Sequence, residues 1–461
     1  MDIEEFYRFI KGKTVAFCGI GGSNLPLVKL FALHGALVSA RDRRTREQLL
    51  ETADELEGLG VRLKLGENYL SDLQEEIIFR TPGMRYFMPE LNQARARGAA
   101  VTSEIEVFFD LCPCKIFAVT GSDGKTTTTT IMAEMLRASG KRVHLGGNIG
   151  TPLLPRIEEI SPLDFAVVEL SSFQLISMRR SPDVAVVTNV TPNHLDMHKD
   201  MQEYIDAKKN IILHQNAFGR SVLNADNEIT KGFLDAVRGE LLLFSRRERC
   251  PYGAWLSESG EIFFSHGDGD IRVMHVRDIK LPGAHNIENY LAAISALWGY
   301  VDADTMVRVA ASFGGVEHRN EFVRKLDGVS YYNDSIGTTP SRTMKGALSM
   351  YDRKIILIAG GYDKKIPFDS FGPAVVERVK TLVLMGATAD KIEASVRSAP
   401  AYREGFPKII RVSSLEQAVA VCRSEAADGD IVTLSPACAS FDMFPDYETR
   451  GEEFKKLVHQ L

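Results

Sequence analysis

Cysteine is scarce in this sequence, with six residues among 461, and tryptophan occurs only twice. So few cysteines in so long a chain make a poor disulfide framework, which argues against a small secreted protein held together by disulfides. Cys112 and Cys114 are separated by one residue, which is too close for an ordinary zinc pair, and no second pair matches them. We therefore expect a reducing, cytosolic compartment and no cysteine-bound metal.

An excess of basic residues is also missing, because 55 lysines and arginines stand against 61 acidic residues and give a formal net charge of −6. Such a chain has no general positive field for nucleic acid backbones. No apolar run approaches the ~20 residues that a membrane-spanning helix needs. Residues 1–13 lack the basic start and apolar core of a signal peptide. These absences predict a cytoplasmic protein with neither nucleic acid nor membrane as a partner.

The sequence is rich instead in short apolar runs, each followed by a glycine or polar turn and then by a helical pattern. Predicted strands cover residues 14–18, 36–40, 77–80, 116–120, 143–145, 165–170, 184–189, 354–359, 381–385, 409–412 and 431–434. Residues 241–276 have short runs and frequent turns, which predict a small antiparallel extension. Alternating strands and helices predict an α/β fold with parallel sheets covered on both faces. The length suggests about three domains.

The strongest single motif is TGSDGKTT at residues 120–127, directly after an apolar run. Glycines let backbone N–H groups turn inward around phosphate oxygens, and the following helix adds its positive amino-terminal end. Lys125 supplies a point charge, and the Thr126 hydroxyl can reach Mg²⁺. The full Walker pattern has glycine where Val119 stands, so the match is incomplete. A structural turn at a helix start is the alternative interpretation.

Two further segments place polar residues just after apolar runs, where parallel strands present their ligand-binding edge. Glu169 ends the first run and is a candidate metal ligand beside the phosphate loop, although a helix cap is an alternative. The second segment, TNVTPNHLD at residues 188–196, can hold a second cation or orient a carboxylate. An ordinary Asx-rich loop is equally compatible with it. For Lys208 and Lys209, on the predicted helix beyond, spacing alone predicts a solvated face.

Taken together, these motifs strongly resemble those of the Mur ligases. The resemblance is carried by TGSDGKTT (120–127), GNIG (147–150), ELSSFQ (169–174), TNV (188–190), HLD (194–196), GAHN (283–286) with Asn289, EHR (317–319) and NDS (333–335). It covers essentially the whole chain, in order. It implies a Rossmann-like amino-terminal domain that binds a UDP-linked substrate (1–103), a central P-loop mononucleotide-binding domain for ATP (104–315) and a Rossmann-like carboxy-terminal domain for an amino acid (316–461).

Within the family, the closing segment is similar to that of the members that add D-glutamate. The similar residues are SPACASFD (435–442) with Phe444, Tyr447, Arg450, Gly451 and Phe454. The D-N-P-R signature of members that add the third residue is missing. The resemblance implies ATP-dependent ligation of D-glutamate to UDP-N-acetylmuramoyl-L-alanine through an acyl-phosphate and a tetrahedral intermediate. This would be a cytoplasmic step of peptidoglycan synthesis, carried out by a monomer with ATP and two Mg²⁺ ions.

The resemblance also implies roles for individual residues. It places the ATP site at Gly121, Ser122, Asp123, Gly124, Lys125, Thr126, Thr127, Asn289, Arg319 and Asp334. It implies as catalytic residues Lys125, Glu169, His194 and Lys208. It implies as metal ligands Thr126, Glu169, His194 and Lys208, the last as a carbamate. It places the UDP-linked substrate at Gly22, Ser23, Arg43, Arg44, Gly83, Asn148 and His194. It places D-glutamate at Thr338, Lys364, Ser440, Phe441 and Tyr447.

The sequence departs from the family pattern at a few of these positions. Asp123 stands where an asparagine is common, which adds negative charge near the expected phosphates. Ile336 stands where many relatives have lysine. Gly22 and Arg43 also differ from the expected residue types. These departures leave individual contacts open without moving the expected sites.

Three other interpretations remain open at this point. Another amino acid ligase of the same superfamily, either L-alanine-adding or folylpolyglutamate synthase-like, would share most of the motifs. An NAD(P)-binding protein is imitated by Gly19-x-Gly21 with Asp42 about twenty residues further on, although Asn24 occupies the place of the third glycine. A nucleotide-binding regulator without catalysis is the third class, and the full set of expected catalytic residues argues against it.

Overall fold

The computed structural model describes residues 1–192, 197–281, 283–364 and 366–461, apart from the side chain of Lys345. The chain forms two compact units, Met1–Ala311 and Ser312–Leu461. In the described residues, a five-stranded and a nine-stranded sheet belong to the first unit and a six-stranded sheet to the second. Helices alternate with most of the strands. The predicted α/β class is therefore confirmed.

The amino-terminal sheet of the first unit is parallel throughout, in the order β3-β2-β1-β4-β5. Its strands are β1 (Thr14–Cys18), β2 (Leu37–Asp42), β3 (Arg62–Leu65), β4 (Ile77–Arg80) and β5 (Ala100–Thr102). The helices of this region are α1 (Ile3–Ile10), α2 (Leu25–Leu33), α3 (Arg46–Leu49), α4 (Glu51–Gly58), α5 (Pro89–Ala96) and α6 (Glu104–Leu111). The chain leaves β1 toward β2 on one side and later returns to β4 on the other. Such a switch point opens a crevice at the carboxyl ends of the strands.

The central sheet has the order β14-β13-β12-β11-β10-β9-β6-β8-β7. Its strands are β6 (Lys115–Thr120), β7 (Val143–Gly147), β8 (Phe165–Glu169), β9 (Val184–Val187), β10 (Arg220–Asn224), β11 (Glu240–Ser245), β12 (Tyr252–Leu256), β13 (Glu261–His266) and β14 (Gly269–His275). The α-helices of this region are α7 (Lys125–Ala138), α8 (Ser172–Leu175), α9 (Met201–Leu213), α10 (Glu228–Lys231), α11 (Ala284–Leu297) and α12 (Ala303–Ser312). Three short 3₁₀ segments in the described residues lie at Leu154–Glu159, Leu234–Ala236 and Val276–Asp278.

The antiparallel extension predicted for residues 241–276 is correct only in part. β11 pairs in parallel with β10, and β12 pairs in parallel with β11, so this segment continues the central sheet. Antiparallel pairing begins between β12 and β13 and continues to β14. Short, turn-rich runs look alike in both arrangements, because the pairing direction is set by the partner strand and not by the run itself.

Helix α11 is the main helical contribution to the core beside the phosphate loop. Residues 289–297 of this helix are all buried. The helix packs against α7 and against β10, β11 and β12. Burial of the second half of the helix on all sides removes its apolar surface from water. It also carries Asn289 to the beginning of α7.

The sheet of the second unit has the order β15-β16-β20-β17-β18-β19. Its strands are β15 (Glu321–Leu326), β16 (Val329–Asn333), β17 (Ile355–Ala359), β18 (Val379–Leu384), β19 (Lys408–Arg411) and β20 (Ile431–Leu434). Its helices are α13 (Pro340–Lys345), α14 (Phe371–Arg378), α15 (Ala389–Arg397), α16 (Leu415–Glu425) and α17 (Tyr447–Gln460). All neighbours pair in parallel except β15 and β16, which form an antiparallel hairpin at the edge.

Most of the predicted strands lie within two residues of the observed bounds. The hairpin of β15 and β16 was not predicted, because β15 is only partly buried and mixes charged with apolar residues. Among the residues that the structure describes, no helix has the length and apolar character needed to cross a membrane.

Candidate active site

The loop between β6 and α7 has a backbone that only glycine adopts easily. Gly121 and Gly124 have φ of 157° and 76°. A Cβ at Gly121 would lie 1.9 Å from Thr188 Oγ1, and one at Gly124 would lie 2.4 Å from Asn289 Oδ1. Helix α7 begins at Lys125, so its positive end follows the loop at once. The predicted order of strand, glycine loop and helix is confirmed, and its shape suits an anion.

The loop is tied to the neighbouring strand by its backbone, while Lys125 lies across it. The Lys125 ammonium donates to the carbonyls of Gly121 and Ser122, both at 3.0 Å. Asp123 N donates to Asn189 Oδ1 at 3.0 Å, and Thr188 Oγ1 donates to the Asp123 carbonyl at 2.6 Å. The Asp123 residue itself is exposed. The acidic departure at Asp123 therefore leaves the loop backbone intact.

Glu169 lies at the carboxyl end of β8 and is only 2% exposed. Its Oε2 accepts a 2.6 Å hydrogen bond from Thr126 Oγ1, and its Oε1 accepts one of 2.7 Å from Asn148 Nδ2. A carboxylate and a hydroxyl beside a phosphate-type loop are the hard oxygen donors that Mg²⁺ prefers. These residues therefore fit a magnesium ion. The helix-cap alternative for Glu169 is wrong, since Ser171 caps α8.

Lys208 is buried, which contradicts the solvated face that spacing alone predicted for it. Only 2% of the residue is exposed, and its ammonium donates to the Gly121 carbonyl at 2.6 Å. Burial, reinforced by the nearby Lys125 charge, moves the pKa of Lys208 well below the usual lysine range. Lys209, the next residue on the helix, is only partly buried and lies 3.5 Å from the Gly232 carbonyl. Of the paired lysines, one therefore belongs to the loop region.

Tyr204 also belongs to this cluster, although no motif pointed to it. Its hydroxyl is 2.9 Å from Ser122 Oγ, and the Lys208 ammonium lies 4.7 Å from the centre of its ring. Tyr204 and Lys208 are four residues apart on α9, so they share one face of the helix. That spacing was a signal in the sequence that could have placed Tyr204 beside Lys208.

Residues expected to hold a UDP-linked substrate line two small pockets in the first unit. Ser23 and Asn148 line a pocket of about 140 Å³. Arg43 and Gly83 line a second pocket of about 330 Å³. The loop at residues 81–83 contributes to both pockets, and Gly22 is exposed next to Ser23. His194, the remaining member of the expected set, lies outside the described residues.

Arg44 differs from the others because its guanidinium is already bonded to other residues of the loops after β1 and β2. It makes two 2.9 Å hydrogen bonds to the Asp42 carboxylate and a 2.6 Å bond to the Ile20 carbonyl. The same carboxylate accepts from the backbone N–H of Ile20 at 2.6 Å. An NAD(P) site would need this acid for ribose hydroxyls. Because the Asp42 carboxylate is already bonded to Arg44 and to the Ile20 N–H, the structure argues against the NAD(P) interpretation.

In the second unit, Asp334 and Thr338 follow the carboxyl end of β16, and Lys364 follows that of β17. Asp334 is buried, and its Oδ2 accepts a 2.5 Å hydrogen bond from Ser435 Oγ. Burial raises the pKa of Asp334 to about 6, and the bond from Ser435 opposes that rise. The Lys364 ammonium is 3.3 Å from Thr338 Oγ1. Two of the expected contacts with D-glutamate therefore lie together.

Ser440, Phe441 and Tyr447 lie on the segment that leads into α17. Ser440 is buried, whereas Phe441 is 64% exposed. Tyr447 is the first residue of the helix, and its carbonyl accepts a 2.8 Å bond from Ser335 Oγ. This contact joins the segment to the loop after β16, the loop that also carries Asp334. The described contacts do not include one between these three residues and Lys364.

Arg450 organises both loops, although the sequence motif had given it no role. The guanidinium is buried and donates to Ser335 Oγ at 2.9 Å and to the Ser335 carbonyl at 2.8 Å. It also donates to the carbonyls of Cys438 and Ala439 at 3.2–3.3 Å. One side chain thus fixes the loop after β16 to the loop after β20.

Comparison with known families and proteins agrees with this geometry. The profile of the Mur ligase middle domain matches residues 119–297, and that of the Mur ligase, glutamate ligase domain, matches residues 318–438. Together these two profiles include the phosphate loop, Glu169 and the loops that carry Asp334 and Lys364.

Full-length relatives are also similar. The UDP-N-acetylmuramoylalanine–D-glutamate ligase of Acetivibrio thermocellus is 50% identical, over 100% of this chain and 99% of its own length. Enzymes of the same name from Ruminiclostridium cellulolyticum and Clostridium acetobutylicum are 49% and 48% identical over the same shares.

Solved structures show a similar fold at much lower identity. A UDP-N-acetylmuramate-alanine ligase from Thermotoga maritima aligns with a TM-score of 0.55 and 18% identity, over 97% of this chain and 99% of that one. A UDP-N-acetylmuramoyl-L-alanyl-D-glutamate–2,6-diaminopimelate ligase aligns with a TM-score of 0.54 and 16% identity, over 98% of this chain and 94% of that one.

Proposed function

This chain belongs to the Mur ligase family and is a ligase, and on that basis we propose that it joins D-glutamate to UDP-N-acetylmuramoyl-L-alanine with ATP. The reaction is a step of peptidoglycan synthesis, and we place it in the cytoplasm and assign it to a monomer. The choice of D-glutamate over the L-alanine-adding or folylpolyglutamate synthase-like alternatives rests on relatives of about half identical sequence that carry this name. The chemistry rests on the corner formed by Lys125, Thr126 and Glu169.

The corner suits transfer of a phosphoryl group to a carboxylate. A carboxylate is a poor electrophile, and phosphorylation gives its carbonyl carbon a good leaving group. The terminal P–O bond of ATP breaks, a carboxylate oxygen of the UDP-linked substrate bonds to that phosphorus, and ADP leaves. Lys125 and the loop N–H groups stabilise the charge that spreads over the phosphoryl oxygens. Magnesium held by Thr126 and Glu169 would supply further positive charge there.

Amide formation then needs only the amino acid. The amine of D-glutamate attacks the acyl-phosphate carbon, gives a tetrahedral intermediate and loses a proton. Collapse of that intermediate breaks the C–O bond and releases phosphate. We assign nucleotide contacts to the loop residues 121–127 with Asn289, Arg319 and Asp334. We assign the grip on D-glutamate to Thr338, Lys364, Ser440, Phe441 and Tyr447.

The remaining assignments follow from the position of each region. We propose three functional domains at residues 1–103, 104–315 and 316–461, which hold the UDP-linked substrate, ATP and the amino acid. The pockets around Ser23, Asn148, Arg43 and Gly83 would take the UDP-linked substrate, with Gly22 and Arg44 shaping the same loops. His194 would contact that substrate and a second Mg²⁺ ion.

We propose that Lys208 is carbamylated in the working enzyme. An ammonium close to a divalent cation would repel it, whereas a carbamate would attract it. Burial lowers the pKa of Lys208, which favours the uncharged amine. That amine adds CO₂ to form a carbamate and releases one proton. Removing CO₂ from the assay should depress turnover reversibly, and the Lys209→Met variant should respond as the parent does. Unchanged turnover without CO₂ would overturn the carbamate.

The decisive test of the function is ADP release with UDP-N-acetylmuramoyl-L-alanine as the acceptor. Parallel reactions would contain D-glutamate, L-glutamate, L-alanine or no amino acid. Stimulation by D-glutamate alone is expected. Stimulation by L-alanine, or equal rates in all four reactions, would contradict the proposed substrate. The product mass should equal that of both substrates joined with loss of water.

A further inference from the structure

Three hydrogen-bonded side chains, the first of them three residues beyond Glu169, have no part in the function proposed so far. Ser172 Oγ is 2.9 Å from His198 Nε2, and His198 Nδ1 is 3.0 Å from Glu203 Oε1. Ser172 and His198 are both buried, and Glu203 is a quarter exposed. A His198 tautomer that donates from Nδ1 to Glu203 would accept a hydrogen bond from the Ser172 hydroxyl at Nε2. The hydrogen bonds would then run in one direction from Ser172 to Glu203.

Two aromatic rings contact the His198 ring and restrict its orientation. Phe173 stacks on the ring with a centre-to-centre distance of 5.1 Å and an angle of 6°. Tyr204 meets it edge-on at 5.3 Å. Tyr204 also contacts Ser122 of the phosphate loop through its hydroxyl. A locked ring transmits any displacement to its partners instead of absorbing it.

The series of hydrogen bonds ends at the turn that directly follows Glu169 in the sequence. Ser172 is three residues beyond Glu169, at the start of α8. The other side of the same turn is held by Ser171, whose N–H and hydroxyl both donate to Gln174 Oε1 at 2.9 Å. Several contacts fix the turn: its own capping bonds, a bond from Arg80 to the Phe173 carbonyl and the bond between Ser172 and His198. The last of these leads to Glu203 on α9, and Asn210 of α9 also donates to the Leu175 carbonyl at 2.9 Å.

The Glu203–His198–Ser172 order imitates a hydrolase triad, but the burial of Ser172 within the turn suits a structural bond. We propose that His198, held by Glu203, is a positioning residue that fixes the Glu169 carboxylate for the magnesium ion. This inference rests on the proposed function for its cation, since Glu169 and Thr126 are the assigned ligands. Partners that hold a metal ligand in place contribute about 10- to 100-fold to metal affinity.

The test is a direct measurement of metal binding with Mn²⁺ as the probe. Free Mn²⁺ is followed by electron paramagnetic resonance while it is titrated into protein saturated with a non-hydrolysable ATP analogue. A titration without protein corrects for binding to the nucleotide. The His198→Ala variant should bind Mn²⁺ about tenfold more weakly than the parent. His198→Gln, which keeps an acceptor near the Nε2 position, should recover most of the loss.

His144 provides the matched control, because it is a second buried histidine paired with a carboxylate in the same sheet. Its Nε2 lies 2.8 Å from Asp164 Oδ2, near the beginning of β7, at the opposite end of the strands from the phosphate loop. His144→Gln should change Mn²⁺ affinity less than twofold, even where it lowers the melting temperature.

The possible results separate positioning from a general loss of structure. Mn²⁺ affinity of His198→Ala within twofold of the parent would overturn the proposal, as would an equal loss in His144→Gln. If His198→Ala does not fold, Ser172→Ala decides, since it removes one hydroxyl. A loss of threefold or more supports the proposal, and a smaller loss overturns it. A parent that binds Mn²⁺ but releases no ADP with D-glutamate would contradict the proposed function alone.

Discussion

The phosphate-loop end of the central sheet and the corresponding end of the carboxy-terminal sheet use the same geometry in different ways. Both present loops that follow the carboxyl ends of parallel strands. In the central sheet, Glu169 and Lys208 are buried and already bonded to the loop region. In the carboxy-terminal sheet, Asp334 is buried, but Lys364 and Phe441 are exposed.

The difference reflects the charge that each end would hold. Phosphate transfer needs fixed charges in a site of low dielectric constant, where each interaction is stronger and needs no rearrangement. Buried charges are costly unless each is paired, and this explains the dense bonding around the loop. We propose that an amino acid, which must enter and leave, is served here by exposed side chains around a rigid base. That base is built by Arg450 and Asp334.

The largest effect is expected from a substitution at the phosphate-loop end of the central sheet. Lys125→Ala should lower the rate of ADP release by about 10²–10³-fold, because it removes the point charge nearest the phosphoryl oxygens. The melting temperature should change little, since the Lys125 ammonium donates to carbonyls of the loop itself. Lys141→Ala, an exposed lysine just beyond the same helix, is the control and should match the parent. Peptide bond formation at the parental rate would refute the role of the loop.

A smaller effect is expected where the rigid base of the second unit is disturbed. Arg450→Lys cannot span Ser335, Cys438 and Ala439 at once, because an ammonium lacks the planar fork of a guanidinium. The lost donors leave buried carbonyls unsatisfied, at about 1–3 kcal/mol each, so the free energy of unfolding of this unit should fall by roughly 3–5 kcal/mol. The KM for D-glutamate should rise about tenfold, because the loops beside its proposed site lose their connection. The KM for ATP is the internal reference, measured in the same assays. Equal increases in both KM values would mean that the contacts of Arg450 do not support the D-glutamate site in particular.

The exposed Arg423 offers a control for that substitution. It pairs with Asp327 at the surface of the same unit. Arg423→Lys should change the free energy of unfolding by less than about 1 kcal/mol, because exposed ion pairs contribute little. A comparable loss in both variants would show that arginine in general, and not the buried fork, stabilises this unit.

The smallest effect concerns pH and the buried Asp334. Its pKa is raised to about 6 by burial, so the folded state prefers the protonated acid. The stabilisation is complete below the pKa of the unfolded chain and is lost as the pH rises through about 6. Between pH 4 and 7, the parent should lose roughly 2–3 kcal/mol of unfolding free energy relative to Asp334→Asn. Denaturant melts across that range give the difference, and parallel curves would contradict it.

Much of the fold could be predicted because the signals were local. Short apolar runs ending in glycine or polar turns gave most strands of the three sheets, and the phosphate loop was evident from its glycines and Lys125. β15 was not predicted, because a partly buried edge strand lacks a clear pattern of apolar residues. Within residues 241–276, the pairing direction was mistaken only for β10–β11 and β11–β12, because it depends on the partner strand and not on the run itself.

The site shows the same division. Glu169 was found because it ends a strand next to the loop, but its bonds to Thr126 and Asn148 join three separate segments. Spacing put Lys208 on a solvated face, and the structure buries it. Helical spacing does not distinguish it from Lys209; the family resemblance singled out Lys208, and packing against the loop buries it.

The amino acid sequence thus contained the identity of the loop, the alternation of strands and helices and the family motifs, all readable over stretches of a few residues. The tertiary structure decided which charges are buried together, that Lys208 and not Lys209 is buried, and that Arg450 joins two loops. Burial and the resulting pKa values depend on neighbours far away in the chain, and such neighbours exist only once the sheets have assembled.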